Sequence, residues 1–391
     1  MGEQLLHDGP TPDAHPMTHQ HPTTTDGRGA DSGGRAPGTG ACTVALRLSV
    51  VIPNYNYAEF VGQAIDSALA IDWPDVEVIV VDDGSTDDSH TVIARYGRRI
   101  TVVLQANAGQ YMAYNAGFAQ ATGDVIIFLD SDDLLEPTVM REVARAWRPG
   151  LSKVQFRMQT VDRMGRLLGG SFPQFQVAPS PQLVRQWVLN TTAYPTPPGS
   201  GNAYAAEFLA RILPLDLSCG KPGDACCVAA SPLMGDVLTL DKPLARYRVH
   251  GRNDGAVSQL DPKQMTLHVE RTLQRHTYAM RIAAQAGLKF ADGALNRSLS
   301  YLPYRLASLR LAPQQHPITG DSRMVVLRDA LRAVRHPQGL GWTGRAVLLA
   351  WVSAVALAPQ ALAERLILWR FAPAARPKAL GSVLRMLHVL R

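Results

Sequence analysis

Four apolar runs rich in β-branched residues constrain this chain more than any other feature: Leu48 to Pro53, Val76 to Val81, Ile100 to Leu104 and Val125 to Leu129. The gaps between them carry apolar residues at helical spacing. Phe60, Ala64, Ile65, Ala68 and Leu69 fill the first gap, and Val92, Ile93 and Tyr96 the second, where Thr86 or Asp87 reads as the N-cap. Tyr111 to Ala121 fills the third. Continuous apolar strands alternating with helices predict a parallel sheet covered on both faces. Ligands of such sheets bind at the carboxyl ends of the strands.

Two of these ends are acidic. The second strand runs into Asp82-Asp83-Gly84-Ser85-Thr86-Asp87-Asp88-Ser89, and the fourth into Asp130-Ser131-Asp132-Asp133. In a doubly wound sheet both clusters share one rim. Crowded carboxylates repel one another and persist most readily around a cation or among donor groups. Asp130 and Asp132 are two apart, so a turn can aim both at one hard ion. Mg²⁺ and Mn²⁺ bind with few protein carboxylates and leave positions for phosphate oxygens. The plainer reading, that these are only turn and N-cap residues, weakens when two such clusters share an edge.

The run Ser49-Val-Val-Ile-Pro-Asn-Tyr-Asn56, the two acidic clusters, and Asn107-Ala-Gly-Gln-Tyr-Met-Ala-Tyr-Asn115-Ala-Gly117 together resemble family 2 glycosyltransferases. The resemblance covers residues 46 to 255 and implies an α/β fold of the GT-A, Rossmann-like type. It implies that Pro53, Tyr55, Asp82, Asp83 and Asn115 contribute to the nucleotide-sugar pocket, with Asp83 reading base or ribose. It matches Asp130 and Asp132 to the family's DxD element, which binds Mn²⁺ or Mg²⁺ and the nucleotide-sugar. The activity implied is an inverting, metal-dependent, nonprocessive transfer from a nucleotide-diphosphate sugar to a saccharide or lipid-linked acceptor.

The second half of the domain is less regular. Pro195 to Asn202 is a loop rich in turn residues and Glu207 to Pro214 a short helix, together similar to the acceptor side of family members. Asp224 opens the apolar run Ala225 to Ala230. The family carries an acidic catalytic base at such a position, often as Glu-Asp; here Gly223 takes the first place and Asp224 alone matches. One carboxylate suffices for an inverting transfer, and the competing reading makes Asp224 an N-cap. Tyr247-Arg248-Val249-His250 resembles the family's closing motif, with His250 near the nucleotide's phosphates. Arg246 and Arg248 stand either near phosphate or paired with surface acids.

Apolar residues are 46% and charged residues 18%, enough for a buried core. Residues 1–44 are rich in Gly, Pro and Thr without periodicity, and read as a disordered tail before a catalytic domain over 45–255. Residues 256–391 read as helical. The net charge of +6 sits wholly in 340–391, where seven basic residues meet one acidic, Glu364. This end favours an anionic membrane surface; no motif supports nucleic acid. Residues 346–363 are uncharged but interrupted by Pro359, which favours helices packed on the domain or lying in an interface over a true span. Four cysteines without a CxxC pair exclude a disulfide scaffold and a thiolate zinc site. They point to a reducing cytoplasmic location, peripheral to the inner face of a membrane. Two other classes stay open: a nucleotide-sugar-binding protein without catalysis, and a haloacid-dehalogenase-like phosphohydrolase suggested by Asp130-x-Asp132.

Overall fold

The structure, a computed structural model, describes residues 46–175, 177–216, 223–251, 261–372 and 375–377. The N-terminal tail and the basic residues Lys378, Arg385 and Arg391 lie outside the described residues. Nine strands form one sheet: β1 (Leu48–Asn54), β2 (Val76–Asp82), β3 (Thr101–Leu104), β4 (Val125–Phe128), β5 (Leu134–Leu135), β6 (Leu151–Val161), β7 (Leu167–Phe172), β8 (Asn202–Ala205) and β9 (Asp236–Arg248). Their order is β3-β2-β1-β4-β8-β6-β9-β5, with β7 beside β6.

The expected parallel sheet holds for the first four strands: β1 pairs in parallel with β2 and β4, and β2 with β3. Beyond β4 the sheet is mixed. β8 enters antiparallel to both β4 and β6, and β6 runs parallel to β9. Side chains alternate across the sheet, which explains the continuous apolar runs. Val51, Ile79, Val81, Ile126 and Phe128 pack on one face, against Tyr114 and the helix Asp224–Met234. Val50, Ile52, Val78, Val80 and Ile127 pack on the other, against the helices Val61–Leu69 and Val139–Ala146.

After residue 260 the described chain is helical. Pro262–Gln285, Leu302–Leu311 and Arg323–Ala333 share a core with two further helices, Trp342–Leu357 and Gln360–Phe371. Pro359 caps the last of these, so the uncharged stretch 346–363 is split between two helices. Among the described residues no helix is long and apolar enough to cross a membrane. Cys226 is disulfide-bonded, and its neighbour Cys227 is a free, buried thiol.

Candidate active site

The parallel register sets Asn54 beside Asp82, and both acidic clusters leave the same sheet edge. Asp82 is fully buried. Its carboxylate accepts hydrogen bonds from Asn54 Nδ2, the Ser85 amide and His90 Nε2, each at 2.8 Å. Burial pushes its pKa up, but these donors outweigh burial and hold it below the ordinary value. Asp83 accepts from Gln105 Nε2 (2.7 Å) and from the amides of Ala108 (2.9 Å) and Gly109 (2.8 Å). Gly84 permits this fold-back: it sits at φ +75°, and a Cβ there would lie 2.8 Å from the Asn107 nitrogen. The helix expected after Thr86 or Asp87 begins at Ser89, with Asp88 as its N-cap.

Tyr55 stands at the rim, 45% exposed. The Pro53 carbonyl accepts from Ser131 Oγ at 2.7 Å, which fastens the end of β1 to the Asp130–Asp133 turn. Asn115 is placed differently from its neighbours in the motif. Its amide exchanges two hydrogen bonds with the Leu215 backbone, at 2.9 and 2.7 Å.

The Asp130–Asp133 turn is crowded with charge. Burial pushes the Asp130 carboxyl well above the ordinary range, and repulsion from Asp133, Asp132 and Asp224 pushes it further. Asp133 is raised by burial and by Asp132, even though it accepts from Ser200 Oγ (2.7 Å) and the Arg248 amide (3.0 Å). Asp132 Oδ2 lies 2.8 Å from His250 Nε2. His250 stacks on Phe60, with Arg248 over the same ring at 5.0 Å. Buried Arg248 spans the site by donating to the Asp132 and Arg163 carbonyls and to Gln63. Arg246 instead pairs with Glu136 at 2.6 Å. Arg248 and His250 of the closing motif thus both meet the acidic turn, whereas Arg246, just before the motif, does not.

Asp224 is the first residue of its helix and Gly223 is the N-cap, so the N-cap reading of Asp224 does not hold. Gly223 has a steric reason to replace the family's acidic residue, because a Cβ there would stand 3.0 Å from Tyr111 Cα. Burial raises the pKa of the Asp224 carboxyl, against the lowering influence of nearby Arg275 and of the Ala225 and Gly199 backbone. Its Oδ1 has no hydrogen-bond partner among the described residues. Gly199 lies between the two acidic groups: its backbone is close enough to Asp224 to lower that carboxyl's pKa, and a Cβ there would touch Asp130 Oδ2 and Tyr114 Oη at 3.2 Å each.

Three participants escaped the sequence. Ser200 ties the Asp130 amide to the Asp133 carboxylate. Lys153 is buried on β6, donates to Thr196 (2.9 Å) and Asn202 (2.7 Å), and has its pKa driven down by burial. Arg275 reaches the site from a helix that begins far along the chain at Pro262. No local pattern marks any of them.

Among the described residues no group of three or more His, Cys, Asp or Glu side chains is gathered on one point for a metal. The donor chemistry at Asp130 and Asp132 still fits a hard divalent ion. It offers carboxylate oxygens whose mutual repulsion a cation would relieve, and two protein ligands suit an ion that keeps positions for phosphate.

The description "Glycosyl transferase family 2" matches residues 49–165. An uncharacterized glycosyltransferase of Nostoc sp. (strain PCC 7120) is 33% identical over 266 residues, covering 63% of this chain and 81% of that protein. One from Rickettsia typhi is 40% identical over 95 residues, covering 24% of this chain and 30% of its own length. Among solved structures, S. aureus TarS in complex with UDP-GlcNAc aligns at a TM-score of 0.49 with 17% identity, over 83% of this chain and 92% of that one. A mixed sheet with both acidic clusters on one edge, the matched segment and the extent of the Nostoc likeness lead to one conclusion: the chain belongs to the family 2 glycosyltransferases.

Proposed function

We propose that this glycosyltransferase takes its sugar from a nucleoside-diphosphate donor bound at the strand-end rim and transfers it with inversion to a hydroxyl presented at Asp224. Family membership removes the phosphohydrolase and binding-only readings. The observation that carries the proposal is Gly199, whose α-carbon borders Asp130 and whose backbone lies close to Asp224, with the two carboxylates near enough for Asp224 to raise the pKa of Asp130. Donor-side and acceptor-side carboxylates are thereby one residue apart in space.

In this reading the segment 53–56 and the Asp82–Asp83 turn form the nucleotide side, with the Tyr55 ring open for stacking. Asp130 and Asp132 would hold Mg²⁺ or Mn²⁺, and His250 and Arg248 orient that turn. A bound divalent ion would supply positive charge against the departing diphosphate. Asp224 accepts the acceptor's proton, and burial makes it a better base than an exposed aspartate. The catalytic unit is residues 45–255, and the helices beyond 260 close its acceptor side.

The test is a binding panel of UDP, GDP and dTDP sugars with and without Mn²⁺. One nucleotide should bind in a Mn²⁺-dependent way, and Asp132→Asn should remove that dependence while the protein stays folded. Unchanged Mn²⁺-dependent affinity in the variant would refute the donor-site assignment.

A further inference from the structure

A cavity of about 450 Å³ opens beside Asp224, walled by the loop 192–198, the helix Asp224–Met234, the helix Pro262–Gln285 and residues 298–304. Its size lies within the range of small-molecule sites. The walls are largely apolar and aromatic, with Tyr194, Val228, Phe290 and Tyr301 among them. Titratable groups interrupt them, Asp224, Arg275, His268 and His276, along with several threonine and serine hydroxyls.

The charge in this cavity is poorly compensated. Arg275 and Asp224 both line it and act on one another through space, yet among the described residues neither an ion pair nor a hydrogen bond joins them. Arg275 Nε and His276 Nδ1 are buried without a hydrogen-bond partner among the described residues. Burial lowers the pKa of His276, and burial with the arginines at 275 and 271 brings that of His268 to about 4. Both imidazoles are therefore neutral at pH 7, and Arg275 supplies the cavity wall's positive charge. A desolvated guanidinium without a full set of acceptors is costly. It becomes favourable when a carboxylate or phosphate occupies its fork.

We propose that this cavity is the acceptor subsite and that Arg275 selects a saccharide carrying an anionic group, with the ring between the aromatic walls and a hydroxyl at Asp224. The proposal rests on the transferase reading above and adds the class of acceptor. Its geometry explains why a cation and a carboxylate share one cavity without pairing: each faces a different group of the same ligand. A carboxylate and a phosphate are alternative sources of that charge.

Isothermal titration of the full chain, with Mn²⁺ and whichever of UDP, GDP and dTDP the binding panel selects, tests this, using methyl glucuronide, glucose 6-phosphate and neutral methyl glucoside as probes. At least one anionic probe should bind about tenfold or more tightly than the neutral one. The better of the two identifies the source of the charge. Arg275→Gln should abolish the preference and Arg275→Lys should restore part of it, with melting temperatures confirming that both variants fold. Equal affinity of all three probes for the wild type overturns the proposal, as does an undiminished preference in Arg275→Gln. Affinity for that panel of nucleotides is read on the same samples. Failure of nucleotide binding refutes the transferase reading and this inference with it, whereas intact nucleotide binding without charge preference refutes the inference alone.

Discussion

Gly117→Ala should destabilise the protein, although alanine is the better helix former. Gly117 lies where the helix Gln110–Gln120 crosses the centre of the sheet. A Cβ there would stand 2.2 Å from Val51 Cγ1 and 3.2 Å from Val81 Cγ2. Carbon atoms pack comfortably at about 3.5–4.0 Å, so the helix must retreat by more than about 1 Å. Val51 cannot yield, because it is fully buried on a central strand and its branched side chain has few rotamers. Overpacking of this kind costs about 1–3 kcal/mol, occasionally more, and the gain in helix propensity returns up to about 1. A net loss of about 2 kcal/mol is expected. With an unfolding entropy of about 0.6 kcal/mol/K for a cooperative unit of roughly 300 residues, Tm should fall by about 3 °C. Activity should fall as well, because the N-terminal end of this helix supplies the Gly109 amide to Asp83 and Gln110 to Asp130. Calorimetry on Gly117→Ala, Val51→Ala and the double variant forms the assay. Removing Val51 Cγ1 should relieve the clash, so the double variant should lose about 1 kcal/mol or more less than the sum of the singles. A single variant at wild-type Tm, or strict additivity, would refute the packing argument.

Two further outcomes are expected. Buried Arg305 donates to both oxygens of buried Asp321 at 2.7 Å and to Asp329 at 2.9 Å. Burial opposes ionisation of Asp321, but bonds from His316 and Arg305 hold its carboxyl far below the ordinary 3.8, so its stabilisation is present above about pH 4 and lost as pH falls further. Asp321→Asn should cost about 3 kcal/mol at pH 7 and flatten the acid dependence of the urea midpoint; a wild-type midpoint would contradict this. At the C-terminal end, Trp342 and Leu357 are exposed at opposite ends of one helix, and Arg345 stacks on Trp342 at 5.0 Å. Co-sedimentation with anionic liposomes should therefore occur at low salt, weaken at high salt and vanish when residues 340–391 are removed; no binding at low salt rules out the membrane expectation.

The first half of the site was legible because buried parallel strands announce themselves as unbroken β-branched runs, and the acids at their ends inherit a common edge. The second half was not. β6 contains Lys153 and Gln155, both buried, so its sequence does not look like the interior strand it is. Their burial depends on Thr196, Asn202, Pro195 and Thr239, which reach them only through the antiparallel entry of β8 and the pairing with β9. The meeting of Gly199 with Asp130 and Asp224, and of Arg275 with the cavity, likewise depends on tertiary register that no local pattern encodes. Gly223 illustrates the converse. It looked like a defect in the acidic motif, and the close approach of Tyr111 supplies its reason.

If Asp224 performs the chemistry on a donor held elsewhere, Asp224→Asn should separate turnover from binding, and the decisive comparison is nucleotide release against nucleotide affinity in that variant, with the donor sugar and Mn²⁺ identified by the binding panel. Release of nucleoside diphosphate in the presence of acceptor should fall by about two to four orders of magnitude, while affinity for the free nucleotide stays within about twofold of wild type. Turnover near the wild-type rate in Asp224→Asn would contradict that role for Asp224.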